Sequence, residues 1–155
     1  MDAYLDIETS FDGDITIIGI HTSRDGTVQI LEPSYDDLRV YNILKNISVV
    51  FSYNGNSFDI PVIRKKIGIN ILENIRSVDL KNVCWKKNIY GGLKKVEKYF
   101  GIGRMTCDVD GRAAMMLWKS YKNKNDTDAL EKLLLYNKED VENLIQLRKK
   151  LENIF

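Results

Sequence analysis

Residues 3–10 read Ala3-Tyr4-Leu5-Asp6-Ile7-Glu8-Thr9-Ser10, and their reading decides what kind of sheet the chain builds. A strand alternates its side chains between two faces, so Ala3, Leu5 and Ile7 share one face while Tyr4, Asp6 and Glu8 share the other. The apolar face demands burial. On an edge strand an Asp-x-Glu pair rests harmlessly in water, and for the tripeptide in isolation that plain reading is the stronger one. At the centre of a sheet two parallel carboxylates repel unless a cation lies between them. This strand opens the chain with an apolar opposite face, which favours the central position and the cation.

Working outward, Ala3 to Glu8, Thr16 to His21 and Val28 to Leu31 read as three strands in an antiparallel meander, with a turn at Arg24-Asp25-Gly26. A helix follows from Tyr35 to Leu44, then a fourth strand around Ser48 to Ser52. The next helix runs from Ser57 to Ile67 and tolerates Pro61 in its first turns. A short strand over Ser77 to Leu80 precedes helices at Leu93 to Phe100, Gly111 to Tyr121 and Asp128 to Ile154. Lys122 to Asp126 reads as a polar surface loop. The order β-β-β-α-β-α-β-α implies an α/β fold, a mixed five-stranded sheet flanked by helices.

The chain has 155 residues, of which 44% are hydrophobic. No long Pro, Gly or Ser tract interrupts it, which points to one domain over residues 1–155 with a real core. The apolar runs are short and broken by charge, so the sequence points to no signal peptide, no membrane and a cytoplasmic location. Cys84 and Cys107 form no C-x-x-C pair and read as small buried hydrophobes. The formal net charge of +1 argues mildly against a strongly basic nucleic-acid binder. Basic runs recur at Arg64-Lys65-Lys66, Lys86-Lys87 and Lys94-Lys95, where solvated helix faces are the ordinary explanation.

Two further acids sit in odd places. In Phe51-Ser52-Tyr53-Asn54-Gly55-Asn56-Ser57-Phe58-Asp59 an apolar run ends in turn residues, and Ser57 reads as an N-cap with Asp59 favoured in the first turn. Along the last helix Leu133, Tyr136, Asp140, Leu144, Leu147 and Leu151 follow one face, so Asp140 interrupts a stripe that should be buried. An unpartnered buried carboxylate is costly. For that helix alone, a partnered functional Asp140 and an edge residue reaching water or a lysine stand even. The one histidine, His21, lies in an apolar strand and disfavours a Ser-His-Asp triad. With so few His and Cys, a set of carboxylates suits hard cations bound by oxygen, Mg²⁺ or Mn²⁺.

Asp6 and Glu8 in DIETS, Asn54, Phe58 and Asp59 in NGNSFD, and Tyr136 and Asp140 in YNKED resemble, in order and spacing, the three motifs of the DnaQ-like (DEDD) 3′-5′ exonucleases. That superfamily has the ribonuclease H-like fold. The Tyr-x-x-x-Asp form resembles the tyrosine-bearing DEDDy branch, which includes proofreading domains of family B DNA polymerases. GGLKKVEKYFGI and DVDGRAAMMLW are similar to segments of YprB-type exonuclease domains, many of which carry histidine where this chain has Tyr136.

The resemblance implies a two-metal-ion site in which Asp6, Glu8, Asp59 and Asp140 hold Mg²⁺ or Mn²⁺ ions about 3.5–4 Å apart, one activating water and the other stabilising the leaving 3′ oxygen. It implies that Tyr136 orients the water and that Phe58 packs beneath the site. Thr9, Asn54 and Asn56 would touch the terminal nucleotide, and Lys94, Lys95, Arg64 and Lys65 would hold phosphates. Asp79 at a strand end and Asp110 as an N-cap stay outside this set. The expected substrate is the 3′ end of single-stranded DNA or RNA, and protein partners in repair or RNA processing are compatible with it. Two alternatives are a non-catalytic nucleic-acid-binding module and an endonuclease of the wider ribonuclease H-like class. Four intact acids speak against the first, and the tyrosine motif against the second.

Overall fold

The computed structural model describes residues 1–154; Phe155, the last residue of the expected domain, lies outside the described residues. Strands β1 (Asp2–Thr9), β2 (Ile15–Thr22), β3 (Gly26–Leu31), β4 (Val49–Ser52) and β5 (Arg76–Asp79) form a sheet in the order β3-β2-β1-β4-β5. The first three strands are the antiparallel meander, whereas β4 pairs parallel to β1 and β5 parallel to β4. The strand with the two acids is therefore the central one. Parallel neighbours need crossover connections, and α1 (Asp37–Leu44) and α2 (Asp59–Ile67) supply them.

The alternation of β1 sorts the two layers. Ala3, Leu5 and Ile7 enter a core with Ile18, Val40 and Ile63, which packs α1 and α2 against one face. Tyr4 lies on the other face, in a core with Phe51 of β4 and with Cys84, Val96 and Leu144 from α3 (Leu80–Lys86), α4 (Leu93–Phe100) and α6 (Thr127–Glu152). Ile17, Trp118 and Leu133 join α5 (Gly111–Lys124) and α6 in a third cluster. Among the described residues no helix is long and apolar enough to cross a membrane.

Helix α6 comes unusually close to the sheet at Gly19, the partner of Asp6 across β1 and β2. A Cβ placed on Gly19 would lie 2.4 Å from Asn137 Oδ1 and 2.8 Å from Val141 Cγ2. A side chain there would displace the Asn137 amide, which holds Asp6, and press on Val141, the neighbour of Asp140. Glycine at this strand position is thus a condition for the approach of two site elements.

Several expectations change. Helix α2 starts at Asp59, with Phe58 as its uncapped N-cap, so Ser57 does not cap it. Instead, the Ser57 and Phe58 N–H groups both donate to the Asn54 carbonyl, closing a tight turn before the helix. Residues 122–124 continue α5, and the link to α6 shrinks to Asn125 in the left-handed region and the N-cap Asp126. The short helix α3 was not expected. Its seven residues carry little helical signal, and Asp79 starts it by accepting a hydrogen bond from the Lys81 N–H. Cys84 is buried as expected, but Cys107 is exposed. Asp110 does cap α5, accepting from the Ala113 N–H at 2.7 Å.

Candidate active site

Three acids meet where the central strand passes under the longest helix. Asp6 and Glu8 project from β1, Asp140 projects from α6, and one carboxylate oxygen from each lies within 4.8 Å of the others. They open into a cleft of about 230 Å³ whose walls include Thr9, Asn54, Phe58, Asp59 and Tyr136. Asp59 holds a different position: its Oδ2 accepts from the Ile7 N–H at 2.9 Å, so the first residue of α2 is tied to the strand between Asp6 and Glu8. It lines the same cleft but stands outside the close trio.

Burying these acids together makes each harder to ionise. Burial, followed by the charge of Asp140, pushes both Asp6 and Glu8 well above the usual carboxylate range. Burial also raises Asp59 to about 7, against the pull of its hydrogen bond from Ile7. Asp140 is raised to about 6 by burial, with the Arg104 guanidinium limiting the rise. Burial and the acids beside it raise Tyr136 in turn, so its phenol stays protonated at neutral pH. Glu8 Oε1 is buried without a hydrogen-bond partner among the described residues. An orphaned carboxylate oxygen in an all-oxygen donor set fits a hard divalent cation.

The acids are held by side chains that the sequence reading did not single out. Asn137 donates to Asp6 Oδ2 at 3.0 Å, and its own Oδ1 accepts from Gln29 Nε2 at 2.9 Å. Arg104, with a side chain only 2% exposed, donates to Asp140 and grips Glu97 through Nε at 2.9 Å and Nη2 at 2.8 Å. Its guanidinium also lies 5.5 Å from the centre of the Tyr136 ring. Asn143 completes the arrangement with a hydrogen bond to Glu97 Oε1 at 3.0 Å. Glu139, next to Asp140, accepts from the N–H groups of Met105 and Thr106 and so fixes the segment that carries Arg104.

Asp79 does the same for the opposite wall. Its carboxylate accepts from the Asn54 N–H at 2.8 Å, the Asn56 N–H at 3.3 Å and the Lys81 N–H at 3.0 Å. It pins the turn before α2, in which Asn54 adopts a positive φ of 65°. The available signal for Asp79 was an acid at the C-terminal end of a strand adjacent to the turn. Its partners lie 23 and 25 residues away, beyond any local pattern.

Of the residues expected at the nucleotide, Thr9 and Asn54 line the cleft. Asn56 lines another cavity with Arg64 and Lys65, and its Oδ1 accepts from Ser77. Lys94 Nζ lies 5.4 Å from the Tyr136 ring centre, while Lys95 borders a neighbouring groove with Glu97 and Arg104. Phe58 is not packed beneath the site: it is 42% exposed and forms part of the cleft wall, because α2 begins one residue later. A larger cavity, about 430 Å³, lies between Phe11 and Trp118, away from the acid trio.

A family model of the RNase H superfamily matches residues 3–152. Among solved structures, the family B DNA polymerase from the hyperthermophilic archaeon Pyrobaculum calidifontis is similar with a TM-score of 0.75 and 20% sequence identity, over 97% of this chain and 24% of that chain. The likeness at this identity is one of fold, and the chain spans 24% of the polymerase's length. No curated protein matches the sequence. With the family model covering both strand β1 and helix α6, the chain belongs to the RNase H superfamily.

Proposed function

We propose that the protein is a metal-dependent 3′-5′ exonuclease acting on single-stranded ends of DNA or RNA, of the DnaQ-like DEDDy branch and YprB type. The observation that carries this reading is the convergence of Asp6, Glu8 and Asp140 beside Asp59 in one cleft, with the proton affinities of Asp6 and Glu8 raised first by burial and then by the charge of the neighbouring acids. Held by these four acids, Mg²⁺ or Mn²⁺ ions would activate water and offset charge on the phosphate and the leaving oxygen.

The chain's own groups do the rest. Tyr136 keeps its phenolic proton and stands in the cleft wall, where it orients the attacking water by hydrogen bonding. Asn54 and Thr9 offer polar groups to the terminal nucleotide, and the exposed ring of Phe58 offers its base an apolar face. Lys94, beside the Tyr136 ring, supplies a positive charge for the adjacent phosphate.

Digestion of end-labelled oligonucleotides tests the reading. Single nucleotides leave from 3′ ends in Mg²⁺ or Mn²⁺, excess EDTA stops the release, and circular single strands resist. Cutting of circles at the rate of linear strands would replace the exonuclease with an endonuclease, and full activity in EDTA would remove the metal site from the reaction.

A further inference from the structure

Between Asp79 and Glu97 the chain carries five lysines, Lys81, Lys86, Lys87, Lys94 and Lys95, and no acid. In a protein of formal charge +1 this is a strong local concentration of positive charge. The same segment exposes two large aromatic residues, Trp85 at 48% and Tyr90 at 54%. Trp118, by contrast, is buried in the core. Trp85 and Tyr90 meet edge to face with ring centres 5.9 Å apart, and Lys81 Nζ lies 5.1 Å from the Trp85 ring centre.

This patch is joined to the cleft. Lys81 Nζ donates to Asn54 Oδ1 at 3.3 Å, and the Tyr53 hydroxyl donates to the Gly91 carbonyl next to Tyr90. Tyr53 and Asn54 both line the cleft that holds the acids. A continuous surface thus runs from the acid trio through Asn54 and Lys81 to the aromatic pair.

We propose that α3 and the turn after it form a stacking platform for single-stranded nucleic acid, holding bases of the strand whose 3′ end lies among the carboxylates. The proposal rests on the exonuclease reading for the strand's direction, but the platform's chemistry stands on its own residues. Exposed rings accept the π-face of any base, and interleaved lysines meet the phosphates between them. A protein-binding patch would share the aromatic residues but not the lysines, in which the centres of protein interfaces are depleted. Stacking also requires unpaired bases, so the platform selects single strands over duplexes.

The test is the binding of a fluorescein-labelled oligothymidylate with phosphorothioate linkages, followed by anisotropy in Mg²⁺ so that affinity is read without turnover. Trp85→Ala raises the dissociation constant about tenfold, and Trp85→Phe, which keeps a π-face, recovers most of the loss. Lys86→Gln reduces the slope of log affinity against log salt by about 0.7, the value for one phosphate contact on a single strand. A fully paired duplex of the same length binds more weakly than the single strand. Unchanged affinity in Trp85→Ala and Tyr90→Ala would overturn the platform and assign the aromatic pair to a protein partner. An inactive wild type whose oligonucleotide affinity still depends on Trp85 would remove the exonuclease reading alone, whereas an active wild type indifferent to Trp85 would remove the platform alone.

Discussion

Asp6→Asn lowers the rate of nucleotide release by about 10³-fold, because a lost ligand removes several kcal/mol of charge stabilisation in the transition state and each 1.36 kcal/mol is a factor of ten. The substitution is nearly isosteric, and the new amide oxygen still accepts from Asn137 Nδ2, which stands 3.0 Å from the carboxylate in the wild type. Among the described residues no cation hydrogen-bonds to the Asp6 carboxylate, to which Asn137 Nδ2 donates. Removing its charge therefore relieves repulsion from Asp140, Glu8 and Asp59. Kinetic assay and thermal melting in EDTA together separate the cases: activity collapses while the melting temperature stays at or above that of wild type. A variant that keeps a tenth or more of wild-type activity would exclude Asp6 from the chemistry.

Arg104→Met has its largest effect on stability. The substitution removes the guanidinium that pairs with both Glu97 and Asp140, whose side chains are 3% and 12% exposed. Breaking a buried ion pair from one side leaves uncompensated charge and costs about 3–5 kcal/mol. For a chain of this size that lowers the melting temperature by about 10 °C. Arg104→Lys recovers only part of the loss, since one ammonium cannot reproduce the two-pronged contact with Glu97. Melting curves decide the matter, and an unchanged melting temperature in Arg104→Met would mean that Asp140 is held by the helix alone.

What could be read in the sequence follows from the range of the interactions involved. The faces of β1 depend only on alternation, so the burial of Ala3, Leu5 and Ile7 and the common direction of Asp6 and Glu8 were legible from eight residues. Asp140 was legible for the same reason, as a break in a stripe of period 3.6, and the structure buries it with an arginine partner that neither alternative named. Arg104 itself was not legible. It lies in an irregular segment, and its partners are 7 and 36 residues away on α4 and α6. Asn137 was not legible either, because its role depends on the close approach of α6 to the sheet at Gly19. Helix α3 escaped because its start depends on the Asp79 side chain rather than on propensity. The lysine-rich segment read as solvated helix faces because its meaning lies in the exposed aromatic residues it surrounds, and exposure is not written in a sequence.

The most direct measurement of the central claim, that these acids form a divalent-cation site, is calorimetric titration with Mn²⁺ in buffers of different ionisation enthalpy. Metal ligands must be deprotonated, so ions entering this cleft displace the protons held there, and binding tightens as pH rises. Asp59, at about 7, and Asp140, at about 6, place this proton release near pH 6, and burial raises Asp6 and Glu8 in the same direction. The account predicts binding near pH 6 with heats that vary with the buffer, tighter binding near pH 8, and a large loss of affinity in Asp6→Asn. No binding, or binding that releases no protons and is indifferent to Asp6→Asn, would contradict it.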